Sequence, residues 1–400
     1  MIKLSKRAQN LKTSPTLFLV AKAKELASQG NDVISLTVGE PDWPTFPSGA
    51  EAGLEAIQKG MTKYSPASGT VELRRIIAKK LSTELGIDYS EKEITVASGA
   101  KFVLFAALQM LCSEGDEVIV PAPYWVSYPT MVELTGAKPV IVECGENVNF
   151  KITAQMLEKA ITPKTKAFLI CSPSNPTGIQ YSVQELQELV AVLKKHPDVV
   201  IISDDIYNRL TFNGDLVAPH ILKVAPELRS RAVLINGGSK TYSMTGWRIG
   251  WGSGPQGLIT AMADYQSQST GSPSTIAQYA LQKSIEKSEA DIKDVVQKLI
   301  RRKNLAMESL KAISSFRVIE PDGAFYLWVD IKGCLGKTLE GRKIENSRDF
   351  CDVLLNTYFV STVPGIESGM EGFMRLSFAV SEEDMQRAIE RMKEMVSRLR

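Results

Sequence analysis

The middle of the chain alternates short apolar runs with stretches of helical periodicity. The apolar runs cover residues 117–120, 167–171, 199–203 and 232–235, and each is followed by Pro, Ser, Asp or Asn. Runs without polar alternation are typical of strands that are covered on both faces of a sheet. Between two of them, a capping box over residues 182–185 precedes apolar residues that share one helical face. This order predicts an α/β core with a largely parallel sheet.

The C-terminal part of the chain has a different pattern. A strand is predicted over 325–330, and residues 373–379 alternate between apolar and polar side chains. Ser381 precedes a helical stretch whose apolar residues lie on one face. Strands followed by an edge helix predict a second, smaller α+β domain.

Two further segments connect these regions. One long helix within residues 273–310 is expected to join them. The first forty residues contain one predicted helix, over 16–29, and too few apolar residues to fold alone, so we expect them to pack on the C-terminal domain. The predicted division is a large domain over residues 46–284 and a small domain made of residues 1–45 with 285–400.

Charge and cysteine usage exclude several classes of protein. The 400 residues include 47 basic and 45 acidic side chains, and the resulting net charge of +2 argues against a nucleic-acid partner. No apolar stretch is long enough to span a membrane, and no signal-peptide core is present, so a cytoplasmic protein is expected. The five cysteines contain no CxxC motif, which argues against zinc and disulfides. With only two histidines, His196 and His220, we expect no metal site and no histidine-based hydrolase.

Polar side chains follow three of the predicted strands. Asn175 comes after the second apolar run, Asp204 and Tyr207 after the third, and Lys240 after the fourth. In open α/β sheets, ligands bind beyond the carboxyl ends of the strands. The sequence therefore predicts that an amide, a carboxylate, a phenol and an amine converge on one rim of the sheet.

The segment around Lys240 carries the most chemical information. Gly237 and Gly238 allow the backbone to approach a ligand closely. Ser239 and the amides beside it are suited to hydrogen-bonding a phosphate, and Arg248 adds a guanidinium fork that matches phosphate geometry. A lysine beside a phosphate-binding loop suggests a Schiff base with an aldehyde cofactor.

Taken together, these motifs resemble those of class I aminotransferases, which depend on pyridoxal 5′-phosphate, and most closely those of bacterial-type aspartate aminotransferases. The resemblance covers nearly the whole chain. It is carried by the segments 38–42, 175–178, 204–207 and 239–250 and by Arg375. It implies the α/β PLP-transferase fold of type I, in which a large domain holds a mostly parallel seven-stranded sheet between helices beside a smaller α+β domain.

The resemblance implies a role for each group on the rim. Lys240 would bind the cofactor aldehyde and, once displaced by the substrate, move a proton between the substrate Cα and the cofactor. The lysine amine must be neutral for this, so burial and the neighbouring Arg248 are expected to lower its pKa. Asp204 would pair with the pyridine nitrogen, whereas Tyr207 and Asn175 would hydrogen-bond the ring hydroxyl oxygen.

The resemblance also assigns groups that surround the cofactor ring and phosphate. Trp125 would stack on the ring, while a helix that opens at Gly99, Ala100 and Lys101 would receive the phosphate at its N-terminal amides. Tyr64 would reach the phosphate of the neighbouring subunit. This role implies a homodimer with composite active sites.

The substrate groups follow from the same resemblance. Arg375 would bind the α-carboxylate of the substrate, and Gly39 would lie over the substrate with its backbone, close to Trp125 and Asn175. In one place the chain departs from the family pattern, because Gly237 replaces a common serine three residues before the lysine. One phosphate hydroxyl is therefore missing, and weaker or rearranged phosphate contacts are expected.

The implied activity is a transaminase that moves an amino group between aspartate, or a related dicarboxylic amino acid, and 2-oxoglutarate by a ping-pong mechanism. The alternatives are an aminotransferase for prephenate or for aromatic or neutral amino acids, and a related PLP lyase, since one fold serves several reactions. A non-enzymatic regulator would need a DNA-binding domain, for which the N-terminus has no room.

A dicarboxylic substrate needs a second cation for its distal carboxylate. The candidates are Lys101 and the N-terminal group of Lys12, Ser14 and Thr16. Lys12 also suggests a larger dicarboxylate such as prephenate. The alternative is that Lys101 and Lys12 are ordinary solvated charges.

Overall fold

The computed structural model describes residues 2–5, 8, 9, 11 and 15–400. It contains a seven-stranded sheet in the middle of the chain, a four-stranded sheet in the C-terminal part and two short strand pairs. Among the described residues, no helix is both long and apolar enough to cross a membrane.

The strands are short, and those of the central sheet are mostly buried. In chain order they are β1 (Ile34–Ser35), β2 (Ile94–Ala97), β3 (Glu117–Ala122), β4 (Lys138–Glu143), β5 (Thr165–Cys171), β6 (Val200–Asp204), β7 (Ala232–Gly237), β8 (Gly250–Ser253), β9 (Arg317–Ile319), β10 (Tyr326–Asp330), β11 (Thr338–Leu339), β12 (Arg342–Lys343), β13 (Val360–Ser361), β14 (Val363–Pro364) and β15 (Phe373–Ser377).

The helices surround the sheets and connect them. In chain order they are α1 (Pro15–Ser28), α2 (Pro47–Gln58), α3 (Val71–Leu85), α4 (Ala100–Leu111), α5 (Tyr128–Glu133), α6 (Ala154–Ala160), α7 (Val183–Lys195), α8 (Ile221–Val224), α9 (Gln256–Ser267), α10 (Thr275–Lys287), α11 (Glu289–Lys311), α12 (Ser347–Tyr358) and α13 (Glu382–Ser397).

The central sheet has the strand order β2-β8-β7-β6-β5-β3-β4. Strands β7, β6, β5, β3 and β4 pair in parallel along this order. Strand β8 pairs antiparallel with both of its neighbours, β2 and β7. The predicted fold class, a mostly parallel seven-stranded sheet of the fold type I enzymes, is confirmed. Because β5, β6 and β7 are parallel, their carboxyl ends meet at one edge.

Helices cover both faces of this sheet, as the unbroken apolar runs predict. Adjacent residues of a strand point to opposite faces. Ile201 therefore belongs to one hydrophobic cluster together with Leu189 of α7, and Ile202 belongs to another together with Val103 of α4. The predicted capping box is present, since Ser182 caps α7 and exchanges hydrogen bonds with the third residue of the helix.

The C-terminal sheet is antiparallel, with the order β14-β15-β10-β9. Arg375 lies on the interior strand β15, opposite Trp328 of β10. Ser381 caps the terminal helix α13, as predicted. The N-terminal segment joins this part of the molecule, because β1 pairs in parallel with β13 and α1 packs against Leu355 of α12.

The structure refines the bounds of two predicted elements. The long helix expected within residues 273–310 is α11, and a separate helix, α10, precedes it because the chain leaves helical geometry at Ser288, where ψ is 23°. The Ser288 hydroxyl lies 2.6 Å from that of Ser48, which gives the interrupted turn a partner. Strands β6 and β7 also extend beyond their predicted apolar ends, through Asp204 and Gly237. Their polar ends remain in the ladder because the neighbouring strands still offer pairing partners.

Candidate active site

A cavity of about 270 Å³ opens where β5, β6 and β7 end. Most of the residues singled out in the sequence line this cavity. They are Gly39, Ala100, Lys101, Trp125, Asn175, Asp204, Tyr207, Ser239, Lys240, Arg248 and Arg375.

Asp204 lies at the bottom of the cavity and is 6% exposed. Its Oδ2 accepts a hydrogen bond of 2.6 Å from the hydroxyl of Tyr128, and its Oδ1 accepts one of 3.3 Å from the amide of Ile206. Burial raises the pKa of Asp204 to about 6, and the neighbouring Asp205 adds to the rise. An isolated buried carboxylate of this kind favours a cationic partner.

Tyr128 was missed in the sequence. It begins α5, three residues after Trp125, and the two rings pack in a T-shaped arrangement with 5.4 Å between centroids. The sequence did contain one indication of Tyr128, because it follows Trp125 by three residues, about one helical turn.

Lys240 extends from the loop after β7, and its Nζ donates a hydrogen bond to the carbonyl oxygen of Gly39. Burial lowers the pKa of the lysine amine to about 8. The carboxylate of Glu40 opposes this shift, whereas the guanidinium groups of Arg248 and Arg375 reinforce it. The direction is that expected from the sequence, and the neutral amine is within reach near physiological pH.

Tyr207 is fully enclosed, and its hydroxyl lies 2.7 Å from the hydroxyl of Tyr326 on β10. Either hydroxyl is able to donate in this pair. Tyr326 also lines the cavity and was not singled out in the sequence, although its strand was predicted. Nothing local marks it, because it reaches the site only through packing of the C-terminal sheet.

Arg375 is 3% exposed and has no carboxylate within 4 Å among the described residues. Its Nη1 donates to Asn175 Oδ1 at 2.8 Å, and its Nη2 donates to the Thr37 carbonyl at 2.6 Å. Its Nε is buried without a partner, and its guanidinium lies 4.5 Å from the ring centroid of Tyr326. No salt bridge to Arg375 is present in the described part of the chain, so its guanidinium is a buried cation without an anionic partner.

The other end of the cavity carries two further cations. Helix α4 begins after Gly99, whose φ is +96°, and a Cβ on this glycine would lie 2.6 Å from Nη2 of Arg248. The helix terminus and the guanidinium thus approach each other only because the residue is glycine. Lys101 lies 5.0 Å from the ring centroid of Trp125, and burial followed by the charge of Arg248 lowers its pKa.

Gly237 has a packing reason for replacing serine. A Cβ there would lie 3.0 Å from the carbonyl oxygen of Ile249 and 3.1 Å from Cα of Gly250, on the paired strand β8. A hydroxymethyl side chain would therefore press against the adjacent backbone. Ser239, which is buried, still provides a hydroxyl at the cavity.

The remaining predicted residues have different outcomes. Tyr64 is 99% exposed and does not line the cavity. Thr16, at the start of α1, does line the cavity. Lys12 and Ser14 lie outside the described residues.

Known proteins match this chain over nearly all of its length. The family described as aminotransferase class I and II matches residues 31–392. The aspartate/prephenate aminotransferase of Nitrosomonas europaea is 41% identical over 398 residues, which cover 99% of this chain and 100% of that protein. The aspartate aminotransferase of Geobacillus stearothermophilus is 42% identical over 398 residues, which cover 98% of each protein. The crystal structure of the aspartate aminotransferase from Rhizobium meliloti matches with a TM-score of 0.96 and 39% identity over the whole of both chains.

The chain belongs to the class I and II aminotransferase family. It is a transaminase of the aspartate aminotransferase type, and its cofactor is pyridoxal 5′-phosphate.

The cavity fits this cofactor. The end that carries Arg248, Ser239 and the N-terminus of α4 is suited to a phosphate, and the buried carboxylate of Asp204 is suited to a protonated pyridine. Lys240 lines the same cavity, close enough to Arg248 and Asp204 for both charges to act on its amine. Arg375 also lines the cavity, and its buried guanidinium is suited to a substrate carboxylate.

Proposed function

We propose that the enzyme transfers the amino group of aspartate, or of a related dicarboxylic amino acid, to 2-oxoglutarate. The observation that carries this proposal is the arrangement of cations around one cavity. Arg375 has an unpaired buried edge on one side, and Lys101 lines the same cavity without a carboxylate partner among the described residues. Two separate cations match the two carboxylates of the substrate. The names of the two similar proteins, which include aspartate, point the same way.

In this proposal the chain holds the cofactor at three points. Arg248, Ser239 and the amides at the start of α4 hold the phosphate, Trp125 stacks on the ring, and Asp204 keeps the ring nitrogen protonated. When bound, the cofactor supplies an aldehyde that condenses with amines and a ring that accepts electrons from the substrate Cα.

Tyr207 and Asn175 orient the ring hydroxyl, although each already has a protein partner. The Tyr207 hydroxyl pairs with Tyr326, and the Asn175 carbonyl oxygen accepts from Arg375. Asn175 thereby connects the cofactor pocket to the arginine that receives the substrate carboxylate. Gly39 covers the substrate from above with its backbone.

Lys240 acts as the base and acid that moves a proton to and from the substrate Cα. A pKa near 8 suits both roles, because the amine exchanges its proton with little cost near neutral pH. The carbonyl oxygen of Gly39 accepts from the amine, which keeps Nζ at the cavity when it is not bonded to the cofactor.

A panel of amino donors tests the proposed activity. Aspartate, phenylalanine and alanine are each offered with 2-oxoglutarate, glutamate is offered with oxaloacetate, and kcat/KM is measured for each donor. We expect the two dicarboxylic donors to be preferred by at least about tenfold, which corresponds to about 1.4 kcal/mol of additional binding. A preference for the neutral or aromatic donors would contradict the proposal and favour an aminotransferase for those amino acids, and loss of the amino acid without transfer would favour a lyase.

A larger dicarboxylate, prephenate, is the second candidate acceptor. A neighbouring cavity of about 860 Å³ shares Lys101, Ser127 and Arg248 with the first and provides room beyond the cofactor. One similar protein is an aspartate/prephenate aminotransferase. Transfer from aspartate to prephenate, followed by detection of the amino product, tests this alternative.

The proposed assembly is a cytoplasmic homodimer with composite sites. Tyr64 is exposed and does not line the cavity of its own chain, as expected of a side chain that serves a second subunit. All five cysteines are free thiols, which suits a reducing compartment.

Mixing two inactive variants tests the composite site. Tyr64→Ala subunits are combined with Lys240→Ala subunits, and each mixed dimer then carries one intact site. Recovery of activity on mixing supports the dimer, whereas a fully active monomer in sedimentation would contradict it.

A further inference from the structure

A segment of residues 39–45, here called the strap, lies across the loop that carries Lys240. It connects the N-terminal strand region to α2, and it has no regular secondary structure. Hydrogen bonds fasten it to the lysine loop along its whole length. They join Gly39 to Lys240, Glu40 to Thr245 at 3.0 Å, Trp43 to Ser243 at 2.7 Å, Thr45 to Ser243 at 2.7 Å and Thr45 to Trp247 at 2.8 Å.

The strap holds one residue of the loop in an unfavourable conformation. Ser243 has a φ of +53°, in the left-handed region that non-glycine residues rarely adopt. Its hydroxyl donates to the Trp43 carbonyl oxygen, and its own carbonyl oxygen accepts from the Thr45 hydroxyl. A strained residue persists only where its surroundings fix it, so the strap helps to define the shape of the lysine loop.

The strap itself is fastened by one buried arginine. Arg302 of α11 donates from Nη1 and Nη2 to the two carboxylate oxygens of Asp42, at 2.7 and 2.8 Å. Arg302 is 9% exposed, and its Nε has no partner. Its guanidinium also lies 5.7 Å from the ring centroid of Trp43. A fork-to-fork pair of this kind fixes orientation as well as charge.

Helix α11 belongs to the part of the molecule that carries the C-terminal sheet. It packs against β9 and α13, and the C-terminal sheet also supplies Arg375, which we propose as the substrate-carboxylate group. Asp42 is thus the point at which α11 reaches the strap, and Gly39 is the point at which the strap reaches the lysine amine.

We propose that Arg302 is a positioning residue for Lys240. Through Asp42 it fixes the strap, and the Gly39 carbonyl of the strap fixes where the lysine amine lies. This inference rests on the proposed role of Lys240 in moving the proton of the substrate Cα. Arg302 touches neither substrate nor cofactor, so its effect is on the geometry of the proton transfer.

The test compares two adjacent arginines of α11. Arg302→Met removes the pair with Asp42, whereas Arg301→Met, the matched control, removes a largely exposed pair with Glu382. For Arg302→Met we expect kcat with aspartate to fall about tenfold to a hundredfold, the range that misplacement by about an ångström produces, while KM changes less than twofold. Arg301→Met is expected to keep both constants.

Asp42→Asn provides the partner variant. If the two side chains act as one unit, Asp42→Asn lowers kcat like Arg302→Met, and the double variant loses no more than either single variant. The loaded enzyme gives a second readout, because the absorbance of the cofactor bound to Lys240 depends on pH. Glu40, Asp204, Arg248 and Arg375 face the lysine and are intact in all four variants. We therefore expect the midpoint of this titration to move in Arg302→Met and Asp42→Asn and to stay unchanged in Arg301→Met.

Two results would overturn the proposal. One is an Arg302→Met enzyme with the kcat and titration midpoint of Arg301→Met, and the other is a fully additive loss in the double variant. The thermal unfolding of each variant is also measured. It must occur above the assay temperature, so that the kinetic constants are those of folded enzyme. Lys240→Ala separates this inference from the proposed function. An active Lys240→Ala enzyme would refute the proposed role of the lysine itself. An inactive Lys240→Ala enzyme together with an unaffected Arg302→Met enzyme would refute only the positioning role of Arg302 and the strap.

Discussion

The two ends of the active-site cavity are built in different ways. The floor, made of Asn175, Asp204 and Tyr207, is buried, and each of its polar groups already has a hydrogen-bond partner from the chain. The mouth, made of Thr16, Lys101 and Arg248, carries two cations with no carboxylate beside them in the described part of the molecule. The polar groups of the floor are thus already paired within the chain, whereas the positive charges of the mouth remain for ligands to neutralise.

Mutations at the floor and at the mouth are therefore expected to change different kinetic constants. Groups at the floor and Lys240 act in the chemical step, so their loss should lower kcat for every substrate. At the mouth, Arg248 belongs to the proposed phosphate site, whereas Lys101 acts through substrate binding, so the loss of Lys101 should raise KM by an amount that depends on the charge of the substrate.

The largest effect is expected for Lys240→Ala. Loss of the amine removes both the covalent attachment and the proton transfer, and we expect kcat to fall about ten-thousandfold or more. Lys194→Ala, which removes an exposed lysine paired with Glu227, is the control. Borohydride reduction followed by mass spectrometry should label residue 240 in the wild-type enzyme, and labelling of a different lysine would contradict the assignment.

Asp204→Asn is expected to lower kcat about a thousandfold while the cofactor stays bound, since an amide does not stabilise the ring proton. Asp205→Asn is the matched comparison, because Asp205 is equally buried and adjacent but bonds to His220 and Ser203 instead of lining the cavity; since its charge acts on Asp204, a much smaller fall in kcat is expected. Wild-type kinetics in Asp204→Asn would exclude the proposed role of the carboxylate.

The same variant should have the opposite effect on stability. Burial raises the pKa of Asp204 to about 6 from an ordinary value of 3.8. The folded chain therefore binds this proton more tightly than the unfolded chain, and ionisation of Asp204 reduces stability as pH rises from about 4 to about 6. In the cofactor-free protein at pH 7, Asp204→Asn should raise the free energy of unfolding by up to about 3 kcal/mol. Calorimetry at pH 7 and pH 4 checks the sign, because the gain should vanish at the lower pH.

The floor was also the part of the site that the sequence predicted best. Asp204 and Tyr207 directly follow a strand whose apolar pattern is local, and the strand-end rule then brings them to the same edge as Lys240. Tyr326 escaped notice because it pairs with Tyr207 across 119 residues of chain. Its position depends on how the C-terminal sheet docks, and no local pattern encodes that.

Contacts between residues far apart in the chain also limit what the sequence predicts about the helices and the strap. The sequence predicted a long helix within residues 273–310, which is α11, but not the separate helix α10 before it; the boundary lies at Ser288, whose hydroxyl pairs with that of Ser48, 240 residues away. The pair of Arg302 with Asp42 joins residues 260 positions apart, so neither residue stands out from the other charged residues of the chain. Helix caps such as Ser182 and Ser381 were predictable, since their partners lie within three residues.

Arg375→Lys addresses the group that binds the α-carboxylate. The lysine keeps the charge but loses the fork and the contacts to Asn175 and Thr37. We expect KM to rise about a hundredfold, from the loss of two charge-assisted hydrogen bonds worth about 3 kcal/mol together. The increase should be similar for aspartate and phenylalanine, because every substrate carries an α-carboxylate. A change confined to dicarboxylic substrates would mean that Arg375 binds the distal group instead.

The smallest and most selective effect is expected for Lys101→Ala. Lys101 is a single charge beside the Trp125 ring, without the fork of an arginine, and burial, followed by the charge of Arg248, lowers the pKa of its amine. A partly exposed pair of this kind contributes about 1 kcal/mol, so KM for aspartate should rise about fivefold to tenfold and KM for phenylalanine should hardly change. Lys138→Ala, a largely exposed lysine at the edge of the same sheet, is the control. Because salt screens such a charge, the discrimination between aspartate and phenylalanine should shrink as ionic strength increases. Equal effects on both donors would place the distal carboxylate elsewhere and leave Lys101 with the phosphate end of the cavity.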